Sequence, residues 1–386
     1  MSSKKTKVLL FVDRMRQGGI QQFIIENVKH MNKEKVQIDV LTLDDLVTYP
    51  LEDELKKYGV NFYKLKNVWI NHIFDYVRYT KEVNIFFKNN HDYKVIHMNG
   101  SSKNFLLLKY AKKYNIKVRI VHSHNTDFQT KNIIKKIIGN ILKIPMRKYA
   151  TNFFACSTIA GIWLFNKKNV SNGNVKIIRN AVDYDKFKFN KETRDKIRKK
   201  LKIKNNEILI GHVGRFTNQK NHKFLIDIFK EINKKNNNTK LVLIGTGELE
   251  NLIKEKVKKY ELEDKVIFLG FRSDVNDLMQ AMDIFLFPSL YEGLPVVLIE
   301  AQAASLPIFT SKDVVSNEVN ITDKVKFISL KESSKKWADE ILKCDLNRKS
   351  TYKDIKNAGY LIEDTAKELL KFYLSESGEK SERKEK

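Results

Sequence analysis

Short apolar runs alternate with amphipathic stretches along most of the chain, and this alternation is the feature that most restricts its fold. Short apolar runs bounded by turn residues are typical of buried parallel strands, and the stretches between them have the apolar spacing of helices. Strands that alternate with helices build parallel sheets through right-handed crossovers. The sequence therefore predicts an α/β protein.

The predicted strands fall into two series. The first series contains Val8–Val12, Ile38–Leu43, Val60–Lys64, Val95–Met98, Val118–His122, Phe153–Ser157 and Lys176–Ile178. The second contains Ile208–Val213, Leu241–Ile244, Val266–Leu269, Ile284–Phe287, Pro307–Thr310 and Lys326–Ile328. Two successive series indicate two Rossmann-like domains, each with its own parallel sheet.

The length of the chain agrees with this division. A chain of 386 residues is expected to form two or three domains of roughly 150 residues. We place the first domain at residues 1–183 and the second at 184–361, followed by a helix at 362–374. The tail 375–386 is charged and lacks large apolar residues, so it is predicted to be disordered.

Two glutamates, Glu292 and Glu300, stand with seven residues between them directly after the predicted strand Ile284–Phe287. Ligands of open α/β sheets bind at the carboxyl ends of the strands, and Pro295 is typical of a first helical turn, which places Glu300 about two turns into a helix. In a sugar-nucleotide site, one carboxylate accepts hydrogen bonds from sugar hydroxyls and the other holds a ribose. The alternative is two solvated glutamates on a helix surface.

Further segments, in a fixed order, either follow predicted strands or begin predicted helices. They are Gly18-Gly19-Ile20, His122-Ser123-His124-Asn125, Asn180-Ala181-Val182-Asp183, Gly211 to Asn221, Leu241 to Gly247 and Val266 to Phe271. Together with Glu292 and Glu300 they resemble, over most of the chain, the retaining glycosyltransferases of family 4, and most of all the bacterial enzymes of capsule, exopolysaccharide and O-antigen synthesis. The resemblance implies the GT-B fold, in which two Rossmann-like domains face each other across a central cleft and the final helix returns to the first domain.

The resemblance also implies roles for particular residues. The first domain would bind the acceptor and the second the nucleotide sugar, with Arg215 and Lys220 neutralising the departing diphosphate and Glu292 contacting the donor sugar. Gly18 and Gly19 would let backbone N–H groups approach the phosphates, although Gln21 stands where the family commonly has a glutamate. The remaining expected donor contacts are Phe271, Gly293, Leu294 and Glu300.

Two histidines, His122 and His124, follow a predicted strand at its carboxyl end. The family places a histidine here beside the donor sugar, and His124 is the preferred candidate because His122 can belong to the strand as a core residue. No third ligand has the spacing of a zinc site, and enzymes of this kind generally need no divalent ion. We therefore expect no metal and no cofactor beyond the donor substrate.

The positive charge is concentrated in the first half of the chain. The formal net charge is +26, and residues 101–200 hold 24 Lys and Arg against 5 Asp and Glu, a balance of +19. Such a face attracts anionic lipid, a pyrophosphate-linked acceptor or nucleic acid, although no nucleic-acid-binding motif is present. The alternative is a set of ordinary solvated lysines.

Residues 131–149 are predicted to form an amphipathic helix. Its isoleucines share one face, and Lys135, Lys136 and Lys143 lie largely off that face, as in helices that rest on a bilayer. An equally plausible alternative is a core helix packed against its own sheet. No apolar run approaches the ~18 residues that span a bilayer, and the two cysteines have no disulfide or metal spacing. We expect a cytoplasmic protein associated peripherally with the inner face of the membrane.

The expected activity is transfer of a hexose or N-acetylhexosamine from a UDP-sugar to a lipid-linked, polyprenyl-pyrophosphate glycan, with retention of configuration. No residue is an evident nucleophile, so departure and attack on the same face of the sugar suit the sequence better. A sugar-nucleotide epimerase and a transferase with a soluble acceptor share the fold and are alternatives. A non-enzymatic lipid- or nucleic-acid-binding protein is a further alternative. The donor hexose, the linkage and the oligomeric state stay open.

Overall fold

A computed structural model describes residues 5–15, 18–43, 49–66, 74–128, 130, 132–292, 294–312 and 314–376 of the protein. The chain divides into two compact units, one of Met1–Ala181 with Ile362–Lys386 and the other of Val182–Leu361. The boundary expected at residue 183 lies two residues beyond the observed one. Most of the expected disordered tail, from residue 377 onward, lies outside the described residues.

The first unit is built on a seven-stranded parallel sheet with the strand order β3-β2-β1-β4-β5-β6-β7. Its strands are β1 (Thr6–Phe11), β2 (Val36–Thr42), β3 (Asn61–Lys64), β4 (Val95–Met98), β5 (Val118–Ser123), β6 (Asn152–Ala155) and β7 (Val175–Ile177). The β4 residues are all buried, as expected of a strand covered by helices on both faces.

The second unit has a six-stranded parallel sheet with the order β10-β9-β8-β11-β12-β13. Its strands are β8 (Ile208–Val213), β9 (Thr239–Ile244), β10 (Val266–Phe268), β11 (Ile284–Phe287), β12 (Ile308–Ser311) and β13 (Val325–Ile328). All thirteen predicted strands overlap observed strands, with ends that differ by at most two residues. The predicted fold class is confirmed.

Helices fill the connections between the strands. In chain order they are α1 (Gly19–His30), α2 (Pro50–Lys56), α3 (Asp75–Asn89), α4 (Phe105–Lys113), α5 (Ile133–Tyr149), α6 (Thr158–Phe165), α7 (Lys167–Ser171), α8 (Tyr184–Phe187), α9 (Lys191–Lys200), α10 (His222–Lys235), α11 (Glu250–Lys259), α12 (Val275–Ala281), α13 (Val296–Ala303), α14 (Ser334–Ile341), α15 (Tyr352–Asn357) and α16 (Ile362–Glu376). The last helix belongs to the first unit, where it packs against α1 and buries Leu369 and Tyr373.

Each sheet reverses its strand order at one place. In the first unit the reversal falls between β1 and β4, and in the second between β8 and β11. The loops that leave two such strands run in opposite directions and open a crevice at the carboxyl edge of the sheet, where α/β proteins bind ligands. The topology therefore determines where a site can form in each unit before any side chain is considered.

Helix α5 turns its isoleucines outward, which excludes the alternative of a core helix. Its exposed isoleucines, which are between 47% and 72% accessible, are Ile133, Ile134, Ile137, Ile138, Ile141 and Ile144. The opposite face is narrow and contacts the unit through Gly139, Lys143 and Met146. A Cβ at Gly139 would lie 2.3 Å from the Phe128 ring, so glycine is what lets the helix approach so closely.

The membrane-contact prediction was wrong for Lys143. Its side chain is buried, and Nζ donates a hydrogen bond of 2.8 Å to the Trp163 carbonyl between the rings of Phe128 and Trp163. Burial lowers the pKa of Lys143 to about 8. The two aromatic rings come from neighbouring segments. The helical pattern of α5 therefore does not show that they enclose Lys143. Lys135 remains exposed, and Lys136 is half-buried with Nζ 3.3 Å from Asp127.

Within the described residues, no helix is both long and apolar enough to cross a bilayer.

Three arginines collect at the carboxyl end of α12, directly before strand β11. Arg194 and Arg198 from α9 bond the Asp283 carboxylate at 2.5 and 3.0 Å, and both also donate to the Ala281 carbonyl. Arg348 donates to the carbonyls of Met279 and Met282. Cations at a helix carboxyl end satisfy carbonyls that have no helical partner. Asp283 is the carboxylate that balances this cluster at the start of β11.

We expect Asp283→Asn to destabilise the second unit by about 3 kcal/mol, because it leaves buried guanidinium groups without their counter-charge. The measurement is urea denaturation followed through tryptophan fluorescence, since Trp337 is fully buried in the same unit. Asp185→Asn is the matched control, because it removes an exposed carboxylate that pairs with Lys188 at the surface. That control should change stability by less than about 0.5 kcal/mol, and equal effects of the two variants would contradict the assignment.

Candidate active site

The loops after β8 and β11 are fastened together at the carboxyl edge of the second sheet. The Gln219 carbonyl accepts a 2.8 Å hydrogen bond from the Leu290 N–H, and the Gln219 amide donates to the Tyr291 carbonyl at 2.9 Å. Asn221 adds a third bond of 3.0 Å to the Pro288 carbonyl, and its left-handed backbone directs the chain into α10. The two loops thus form one support at the reversal point of the sheet.

Lys220 and Glu292 meet across this support. Lys220 Nζ lies 2.6 Å from Glu292 Oε1, and their side chains are only 16% and 7% exposed. The ammonium also lies 4.6 Å from the centre of the Phe287 ring. The structure thus brings together two residues that the sequence separates by 72 positions. A cation and a carboxylate held this closely can bind a diphosphate and a hydroxyl-rich ring, respectively.

Glycines allow the neighbouring loops to close over this pair. Gly245 follows β9 with a φ of +137°, and a Cβ there would lie 2.2 Å from the Gly214 carbonyl oxygen. A Cβ at Gly214 would come within 3.1 Å of the Lys220 chain and 2.9 Å of the His212 ring. Both positions therefore need glycine so that the loops can pack around Lys220.

The other predicted donor residues of the second unit lie along the same carboxyl edge. Arg215 is exposed, and within the described residues its guanidinium forms no hydrogen bond or ion pair. Phe271 follows β10 with 60% of its side chain exposed, whereas Leu294 packs on the core. Glu300 is half-buried on α13, a little over one turn from the helix start and not two turns as predicted. Gly293 lies outside the described residues.

In the first unit, the predicted glycine pair begins helix α1. Gly18 is the N-cap with extended backbone, and a Cβ at Gly19 would meet no atom of the described residues within 4 Å. The Gln21 amide donates a 2.5 Å hydrogen bond to the Arg14 carbonyl in the preceding loop. A glutamate could not donate this bond, which accounts for the glutamine at this position.

The two histidines occupy different environments. His122 belongs to β5 and is buried, with Nδ1 3.1 Å from His97 Nε2, while His97 Nδ1 lies 2.6 Å from the hydroxyl of Tyr373 on α16. His124 follows the strand, is half-buried, and donates from Nε2 to Asn99 Oδ1 at 2.9 Å. His122 therefore has the environment of a core residue, and His124 is the one placed at the edge of the sheet.

Burial keeps this cluster neutral. It lowers the pKa of His97 to about 3 and that of His124 to about 3, and it lowers the pKa of His122 well below its usual value. The Asn180 side chain opposes the lowering at His124 but does not reverse it. At neutral pH, His124 acts as a hydrogen-bonding group and not as a cation.

A second pair of buried histidines lies beneath Lys220. His212 in β8 bonds the Leu286 carbonyl through Nδ1 at 2.8 Å, and His222 stacks on Phe216 with ring centres 4.2 Å apart. Burial and the nearby Lys220 charge lower the pKa of His222 to about 4. Its two ring nitrogens have no hydrogen-bond partner within the described residues. The His222 ring therefore packs as an apolar group under the loop that follows β8.

Sequence reasoning missed several residues that shape the site. Gln219 and Asn221 flank Lys220 and fasten the loops, while Asn99 orients His124. The signal for Asn99 was available, because it directly follows a predicted strand at the same sheet edge as His124. The roles of Gln219 and Asn221 depend on backbone carbonyls of a distant segment, which sequence does not indicate.

Two parallel-sheet units of this topology, with charged loops at the reversal point of the second sheet, have the architecture of the GT-B class. Residues 17–186 match the family "Glycosyltransferase Family 4", and residues 193–361 match "Glycosyl transferases group 1". A curated relative, the putative glycosyltransferase EpsF of Bacillus subtilis, is 30% identical over 346 residues, which is 88% of each chain. The protein belongs to the family 4, group 1 glycosyltransferases.

Other relatives have names of the same class, and one solved structure shares the fold. The capsular polysaccharide biosynthesis glycosyltransferase CapH of Staphylococcus aureus is 26% identical and covers 96% of this chain and 99% of its own. An Escherichia coli UDP-Gal:alpha-D-GlcNAc-diphosphoundecaprenol alpha-1,3-galactosyltransferase is 30% identical over 57% of this chain and 58% of its own. The crystal structure of Anabaena HepE with UDP and glucose shares the fold, with a TM-score of 0.68, 18% identity and 97% of each chain covered.

The environment of His222 predicts a pH effect on stability. Its pKa is lowered to about 4 by burial, so between pH 6.5 and pH 4 the unfolded chain takes up a proton that the folded chain does not. This group therefore weakens folding as the pH falls, by about 1.4 kcal/mol per pH unit. We expect His222→Phe to be as stable as the wild type at pH 7. Its free energy of unfolding should fall less steeply between pH 7 and pH 5, because the contribution of His222 is gone.

Urea denaturation of the second unit at pH 7 and pH 5 measures this slope. His91→Asn, which replaces an exposed histidine of the first unit, is the control and should leave the slope unchanged. An unaltered slope in His222→Phe would show that His222 is protonated in the folded protein.

Proposed function

We propose that the protein is a retaining glycosyltransferase that moves a hexose or N-acetylhexosamine from a UDP-sugar to a lipid-linked, polyprenyl-pyrophosphate oligosaccharide in surface polysaccharide synthesis. The observation that carries the proposal is the Lys220 and Glu292 pair at the reversal point of the second sheet, with exposed Arg215 in the same loop as Lys220. Support for the acceptor comes from the E. coli relative, whose name specifies a diphosphoundecaprenol-linked sugar, and from CapH in capsule synthesis.

Each charged residue has a task in this reaction. Arg215 and Lys220 neutralise the charge that develops on the diphosphate as the sugar departs, so the reaction requires no divalent ion. Glu292 accepts hydrogen bonds from the sugar hydroxyls and Glu300 holds the ribose diol. Backbone N–H groups in the first turn of a helix have no helical partner and attract phosphate oxygens. The starts of α13 and of α1, where Gly18 and Gly19 lie, offer such groups.

Retention of configuration follows from attack on the face that the diphosphate leaves. Within the described residues, the charged group that contacts Glu292 is the Lys220 cation, which suits a departing anion. A leaving phosphate oxygen can take the proton of the attacking acceptor hydroxyl on the same face. The neutral His124 ring donates its Nε2–H to Asn99, so its Nδ1 would accept a hydrogen bond from a hydroxyl of the donor sugar.

The test is the release of UDP from a panel of UDP-sugars, with and without a membrane extract. We expect UDP release only when both substrates are present, whereas an epimerase would convert the UDP-sugar without an acceptor and without net release of UDP. Lys220→Ala should lower the rate by roughly 10²-fold, the scale for losing one preorganised electrostatic contact. Lys223→Ala, an exposed lysine on α10, is the matched control. Near-normal turnover in Lys220→Ala would remove the leaving-group role.

We further propose that the first unit docks on the anionic inner face of the cytoplasmic membrane, where a lipid-linked acceptor is found. The exposed isoleucines of α5 form an apolar ridge that no described residue covers, and residues 101–181 of the first unit hold 16 Lys and Arg against one Asp. Apolar side chains beside lysines are typical of helices that lie in a membrane interface. In this proposal, exposed Lys135 and half-buried Lys136 contact the lipid head groups, whereas buried Lys143 does not.

Vesicle sedimentation tests this docking. The protein should pellet with anionic vesicles at low salt and less at high salt, since each lysine near such a surface contributes about 1 kcal/mol and the attraction is screened. Changing Lys135 and Lys136 to Glu should weaken pelleting, and so should changing Ile137 and Ile141 to Ser. The control, Lys254→Glu on α11 of the second unit, should pellet normally. Equal binding to neutral and anionic vesicles, or none to either, would refute the docking.

A further inference from the structure

The cation expected to bind a diphosphate already has an internal partner. Lys220 Nζ lies 2.6 Å from Glu292 Oε1, and the 7% exposure of the Glu292 side chain keeps that carboxylate largely out of solvent. The aliphatic part of Lys220 packs against Gly214 and its ammonium against Phe287, so the cation is held in one position. The carboxylate and an incoming diphosphate therefore compete for the same positive charge.

The competition between Glu292 and the diphosphate for Lys220 has a different outcome for UDP-sugar and for UDP. When a diphosphate takes Lys220, Glu292 loses its counter-ion in a poorly solvated place, which is costly for a carboxylate. An intact donor repays this loss because its sugar hydroxyls donate to Glu292. UDP has no sugar to offer, so its binding leaves the Glu292 carboxylate without a partner.

We propose that Glu292 is the residue by which the site discriminates between UDP-sugar and UDP, because it competes with the diphosphate for Lys220 unless a sugar occupies it. This inference rests on the proposed UDP-sugar function. After transfer, the sugar is gone, the carboxylate recovers Lys220, and UDP is released. Glu292 is thus a specificity-determining residue that weakens product binding, in addition to its contact with the donor sugar.

The test is calorimetric titration of UDP into the wild-type protein and Glu292→Gln. The amide has the shape of the carboxylate but no charge, so we expect Glu292→Gln to bind UDP about tenfold more tightly, the effect of removing one charged competitor. Damage to the fold would weaken UDP binding, so a gain cannot be a structural side effect. The ratio of UDP-sugar affinity to UDP affinity should fall by at least the same factor.

Three control variants isolate the mechanism. Glu248→Gln removes an exposed carboxylate from the β9 loop at the same sheet edge and should leave UDP affinity within about twofold, because a solvated charge is screened. Lys220→Met combined with Glu292→Gln should show no gain over Lys220→Met alone. Glu300→Ala should weaken UDP binding, the opposite direction, because it removes the proposed ribose contact.

Unchanged or weaker UDP binding by folded Glu292→Gln would overturn the inference. A gain of equal size in Glu248→Gln, or a gain that persists without Lys220, would also overturn it by showing a general effect of charge. If the wild-type protein bound neither UDP nor any UDP-sugar, the proposed function would fail as well. The two failures are therefore distinguishable by the wild-type titration.

Discussion

The structure depends on one constraint, the burial of parallel strands on both faces. Such strands are mostly apolar, so polar groups that can reach a ligand collect where the strands end. All carboxyl ends of a parallel sheet lie at one edge, and the strand-order reversals at β1/β4 and β8/β11 open that edge. Gly18, Asn99, Lys220 and Glu292 all follow strands at these reversals.

Electrostatic balance explains how the charged and titratable side chains are arranged. The chain has an excess of 26 positive charges, yet the candidate site pairs its central cation with a carboxylate, and the arginine cluster is built around Asp283. Buried histidines stay neutral in both units because desolvation disfavours the imidazolium form. Most of the net charge lies at the surface, where it costs little and can attract an anionic partner.

The sequence predicted the strands well, because a buried parallel strand is a local apolar run and needs no knowledge of its neighbours. It also identified the residues at the strand ends, including Arg215, Lys220, Glu292 and His124. It predicted less about helix surroundings. The apolar face of α5 was compatible with a core or with a lipid surface, and Lys143 was taken for a surface residue, because helical spacing does not indicate which face a neighbouring segment covers.

By itself, the sequence determined the fold class, the family and the order of the elements, since local patterning and motif order carry that information. Only the tertiary structure decided which charges meet. Three sets of contacts join segments that are separated in sequence. They are the ion pair of Lys220 with Glu292, the contacts of Lys143 with two aromatic rings, and the arginine cluster at Asp283. Distance in the folded chain, and not residue type, determines whether two opposite charges form an ion pair, because the attraction becomes strong only at contact in a poorly solvated place.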